Sequence, residues 1–102
     1  MARFSWDESK RREHIDRRRV DFIRVTKIFD GPFIENVDAR ALYGEERYVA
    51  LGEAEGERYV VVVYTWRGAK RHIITAWKVD EAGSRRYQRI LARGLGRHGS
   101  ER

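Results

Sequence analysis

The chain contains no cysteine, which excludes disulfides and thiolate metal sites. It has one proline, Pro32, and no apolar run approaching the roughly 18 residues of a membrane-spanning helix. No hydrophobic signal segment follows Met1. His14, His72 and His98 are far apart and lack ligand spacing, so neither a metal nor any other cofactor is expected. These absences suit a soluble chain of the cytoplasm with no membrane partner. With 102 residues there is room for one compact domain and not two. A hydrophobic content of 41% and an aromatic content of 12% are enough for a modest core and argue against disorder.

Charge is abundant, and its placement says more than its net value of +6. Residues 1–29 carry nine Lys/Arg against five Asp/Glu, residues 30–66 three against eight, and residues 67–102 ten against three. A basic beginning and end around an acidic middle suggest a cationic face suited to phosphates. A well-solvated charged surface fits the same numbers.

Asp7 is placed to cap a first helix in "FSWDESKRREHIDRR", which has few apolar residues and relies on Phe4, Trp6 and Ile15 for anchorage. In "VDFIRVTKIFDGP", Phe22, Val25, Ile28 and Phe29 follow helical spacing, Asp21 caps, and Gly31-Pro32 stops. Residues 33–37 fit a short edge strand. "RYVALG", "RYVVVVYTW" and "RHIITAW" are three β-rich runs joined at hairpin length, the middle one apolar on both faces as a central strand requires. Ideal alternation in the last run puts Arg71, Ile73, Thr75 and Trp77 on one face and His72, Ile74, Ala76 and Lys78 on the other. Asp80 caps a third helix, with Tyr87, Ile90 and Leu91 as its buried arc, Arg85, Arg86, Arg89 and Arg93 as a basic arc, and Gly83 weakening its first turn. The expected architecture is an α+β single domain over residues 1–93. It is an antiparallel sheet of three to four strands with two N-terminal helices and one C-terminal helix on one face. Residues 94–102 read as a disordered tail.

"FSWDESK", "VDF" opening the second helix, "YGEERYVALG", "VVVYTWRG" and "IITAWK" together resemble the BrnT family, over Phe4 to about Tyr87. These are toxins of bacterial type II toxin–antitoxin pairs with a RelE-like ribonuclease fold. The resemblance implies a metal-independent endoribonuclease that cleaves RNA to inhibit translation and growth. A cognate small, DNA-binding, BrnA-like antitoxin would neutralise it. The two would assemble as two toxins with two antitoxins and repress their promoter DNA through the antitoxin.

Cutting RNA without a metal needs a base for the ribose 2′-OH, an acid for the leaving 5′-oxygen and cations for the crowded phosphate. Arginine suits the last role because it stays charged and grips phosphate in a fork. Carried over from the family pattern, the catalytic candidates are Lys10, Glu45, Arg47 and Arg67. Lys78 matches the basic residue ending the last strand, and Arg17, His72, Trp77, Arg85 and Arg89 join it as nucleic-acid-binding candidates. The chain also departs from the pattern. Where the family usually reads Asn-x-x-Lys-His-Gly, this chain reads His14 to Arg19, keeping a cation and losing that His. His72, Thr75 and Trp77 replace an Arg, a Ser and a second Arg, and Gly83 replaces a Glu. Trp77 stacks bases but balances no phosphate charge, so attenuated cleavage is expected.

Blander readings stand beside these. Lys10 and Arg17 are solvated charges by default, Glu45 and Arg47 suit a surface ion pair, and Arg67 suits a turn. His72 suits a structural role, and the arginines of the third helix a solvated face. His14 and His98 read as exposed, Trp6 and Trp66 as core. Two other function classes remain open: a non-catalytic nucleic-acid-binding or regulatory subunit acting with an antitoxin as repressor, and an interaction domain for an acidic partner.

Overall fold

In the computed structural model, residues 3–38, 45–54 and 57–93 are described. The expected tail 94–102, with His98, and the side chains of Leu91 and Arg93 lie outside the described residues. The elements run β1 (Phe4–Trp6), α1 (Glu8–Arg18), α2 (Phe22–Val25), a 3-10 helix (Thr26–Asp30), β2 (Phe33–Val37), β3 (Tyr48–Ala54), β4 (Glu57–Arg67), β5 (Lys70–Lys78) and α3 (Glu81–Arg93). No helix among these residues is long and apolar enough to cross a membrane.

The five strands form one sheet in the order β1-β5-β4-β3-β2. That corrects the expected antiparallel sheet of three to four strands. Residues 4–6 are a strand, not a helical approach, and they pair parallel with β5, Phe4 opposite Arg71 and Trp6 opposite Ile73. The remaining pairings are antiparallel. β4 is central, and Val60 to Thr65 are buried on both faces.

The helices do not share one face. Val60, Val62, Tyr64, Ile73 and Ala76 pack with Val20, Phe22, Val25 and Ile28 in the main core, where Phe4, Trp6 and Phe29 also sit. Val61 and Leu51 point the other way and meet Trp77, Val79 and Tyr87. α3 therefore covers the second face, and the sheet lies between two helical layers. Ile90, expected in the buried arc of α3, is 54% exposed.

The caps follow the sequence. Asp7 accepts from Ser9 N–H, Asp21 from Ile23 N–H and Asp80 from Gly83 N–H. The second helix is shorter than its spacing suggests: one α-turn passes into the 3-10 helix at Thr26, whose hydroxyl donates back to the Ile23 carbonyl at 2.8 Å. Gly52 lets this segment lie against β3, since a Cβ there would stand 3.0 Å from that of Ile28. Gly68, at φ +63°, opens the two-residue turn between β4 and β5.

A bulge interrupts β5. Tyr64 pairs with Ile73 and Val63 with Thr75, so Ile74 has no partner on β4 and the alternation shifts by one. Ile73 and Ala76 consequently share the main core while Trp77 joins the opposite cluster. The expected pairing of Arg71 and Ile73 with Trp77 on one face is corrected accordingly.

Candidate active site

One row of side chains crosses the sheet near the start of β5. His72 pairs with Ser5 on one side and Thr65 on the other. The Ser5 hydroxyl and His72 Nδ1 share a 2.8 Å hydrogen bond, and the Thr65 hydroxyl donates to the Glu46 carbonyl at 2.7 Å. That second bond fixes the segment of Glu45 to Arg47 against the end of β4. Glu45 and Arg47 pair at 3.9 Å and are both partly buried.

His72 reports what surrounds it. Burial lowers its pKa below 6.5, with Arg67 and Lys10 acting in the same direction and Glu45 and Asp7 opposing them. The structure thus gathers four residues expected at the site, Lys10, Glu45, Arg67 and His72, into one electrostatic neighbourhood, with Arg47 beside Glu45. They arrive from α1, the segment before β3, the end of β4 and the start of β5. An imidazole that is neutral near pH 7, a carboxylate and three cations are the ingredients of metal-free phosphoryl chemistry. Among the described residues, no group of three or more His, Asp or Glu is arranged to hold a metal ion.

The other candidates lie elsewhere. Trp77 packs at 6.1 Å against Tyr87 beneath α3, five residues along β5 from His72. Lys78 is exposed at that same far end. Arg17 is exposed and pairs with Glu13 at 3.8 Å on α1. Arg85 and Arg89 are exposed on α3, Arg85 beside Glu81 at 3.4 Å.

His14 is 6% exposed, correcting the expectation of a solvated side chain. Its Nδ1 bonds the Lys10 carbonyl and its Nε2 the Thr75 hydroxyl, both at 2.8 Å. Arg18 donates to the Ala76 carbonyl at 3.4 Å. Beyond the reach of β1, α1 therefore takes over the edge of β5 and fixes where Lys10 sits.

Trp66, expected in the core, is 43% exposed. Its inner side meets the Arg71 guanidinium 4.7 Å from the ring centre, and Phe29 lies 4.1 Å from the same cation. Sequence reasoning missed Ser5 and Thr65. Only the cross-strand register reveals that they flank His72.

The Brucella abortus ribonuclease toxin BrnT has a crystal structure that superposes on this chain with a TM-score of 0.60 at 22% identity. The match covers 79% of this chain and 100% of that one. A comparison with curated protein sequences gives no match. The family described as the ribonuclease toxin BrnT of type II toxin–antitoxin systems matches residues 6–82. That span takes in every strand from β2 to β5 and the whole His72 neighbourhood except Ser5, and on it the chain belongs to the BrnT family of ribonuclease toxins.

Proposed function

We propose that this chain is a metal-independent endoribonuclease that acts at the His72 end of the sheet. The observation that carries the reading is that Lys10, Glu45 and Arg67 all lie within electrostatic reach of His72, with Arg47 beside Glu45. In the proposed reaction Glu45 accepts the proton of a ribose 2′-OH, whose oxygen attacks the adjacent phosphorus. The bond to the 5′-oxygen breaks, and Lys10 supplies its proton. Arg47 and Arg67 balance the charge that builds on the phosphate oxygens. His72, oriented by Ser5, contacts the ribose or a base edge. The products are a 2′,3′-cyclic phosphate and a free 5′-hydroxyl.

As a type II toxin the chain has an antitoxin partner by family. We place that partner over the same cations, as a small BrnA-like protein whose DNA-binding part represses the promoter in an assembly of two toxins and two antitoxins. Trp77 lies beneath α3, so its neutral side chain gives no reason for weak cleavage. The test is incubation of purified protein with RNA in excess EDTA, followed by end-group analysis. Cyclic phosphate ends support the reading, and intact RNA overturns it.

A further inference from the structure

A second group of cations lies at the other end of β5. Arg19, Arg24 and Lys78 line a small cavity of about 40 Å³, with Val20, Val25, Ala54 and Val60 as its apolar side. One water needs roughly 10–15 Å³ of such space, so a single oxyanion fits here and an aromatic ring does not. Asp21 is the one acid among the described lining residues. Arg11 already grips both carboxylate oxygens of Asp21, at 2.8 and 3.2 Å, and the Asp21 carboxylate also caps α2 by accepting from Ile23 N–H. The described lining residues therefore carry more cations than acids.

Backbone strain singles out Arg19. It ends α1 at φ 56°, ψ 38°, and among the described residues no other non-glycine has a positive φ. Its N–H reaches the His14 and Ile15 carbonyls, a task that glycine performs without the penalty of a side chain. Strain that persists where a simpler residue would serve points to a use for the side chain.

Two cations lie between the ends. Lys10 and Arg18 share one face of α1 with the buried His14 between them, and His14 and Arg18 turn towards Thr75 and Ala76 of β5. Lys78 is six residues from His72, about 20 Å along the strand. Lys78 and Ala76 belong to the main-core face and His72 to the other, so a bound chain reaching both would cross the edge of β5 where Arg18 sits.

We propose that Arg19, Arg24 and Lys78 form a second phosphate subsite, holding a backbone phosphate of the RNA several nucleotides from the bond that is cut. The subsite rests on the ribonuclease reading above and extends it from the reacting phosphate to the length of RNA engaged. Guanidinium forks suit a phosphate at such a site.

The experiment uses labelled 2′-O-methyl oligoribonucleotides, which bind but cannot be cut, with affinity followed by anisotropy over a salt series. Arg19→Gly is expected to raise the melting temperature by roughly 4 °C, because it relieves the left-handed backbone. The same variant should weaken binding severalfold and lower the slope of log affinity against log salt by about 0.7. Arg24→Gln should lower the slope equally without the thermal gain. Unchanged affinity and slope in Arg19→Gly overturn the subsite, as does a loss confined to antitoxin binding. If wild-type protein cuts RNA and Arg67→Ala does not, while Arg19→Gly binds as wild type, only the subsite is wrong. If wild-type protein neither binds nor cuts RNA, both readings fall.

Discussion

The two ends of β5 make opposite use of the same strand. At the start, His72 is only partly buried, bonded to Ser5 and surrounded by charges of both signs. Towards the end, Ala76 and Trp77 are packed into two different cores. The extra residue, Ile74, separates them. Alternation alone treats the strand as one surface with a cation missing at Trp77. The structure divides it into a charged end, our proposed chemical end, and a packed scaffold end, and an aromatic ring suits the scaffold end. Where a residue sits along a strand matters here as much as which face it is on.

Three measurements would break or sharpen that contrast. The largest effect is expected from Arg67→Ala at the chemical end. Loss of one charge-stabilising donor should slow RNA cleavage by about 10²-fold or more, while the exposed side chain contributes little to stability. Unaltered cleavage rates would move the site elsewhere.

At the scaffold end, Trp77→Arg should destabilise the fold by about 2–3 kcal/mol, since it removes an aromatic contact and puts a charge beneath α3. It should bring no gain in cleavage. Denaturant unfolding beside an RNA assay checks both parts, and a more active, equally stable variant would erase the distinction between the ends.

The smallest effect concerns pH. The folded pKa of His72 lies below 6.5, chiefly through burial and then through Arg67. Below 6.5 the unfolded chain takes up the proton first, so the His72 contribution lowers stability as pH falls from 6.5 through the depressed folded value, and it vanishes above 6.5. NMR titration of the imidazole should show this depressed midpoint. Arg67→Ala should move the midpoint up and Glu45→Gln should move it down. An imidazole indifferent to both would show that these groups do not share a site.

Much of the scaffold was legible from local signals. Asp7, Asp21 and Asp80 mark three helix starts, Gly68 marks the tight hairpin, and the doubly apolar run of β4 marks the centre of the sheet. Features set by distant partners were not legible. Three residues are too few to show a period, so β1 could be recognised only by its pairing with β5. The bulge at Ile74 leaves no composition signal. Trp66 reads as core because it is large and apolar, but it ends a strand where one side of the ring remains in solvent. Of the candidate site, the family pattern supplied Lys10, Glu45, Arg47 and Arg67, whereas the Ser5 and Thr65 supports depended on register.

The parallel pairing of β1 bears on the order in which the protein comes into being. Ser5 and His72 are separated by 67 positions, so their bond closes one of the longest loops available to the chain. Contacts of such sequence separation form late, because the entropy of closing the loop must be met before they return any stability. During synthesis β1 and α1 emerge well before β5 and wait for it, since β1 pairs only with that later strand. A nascent chain therefore lacks an assembled site until β5 has been synthesised, an inbuilt delay in a protein whose family acts on RNA.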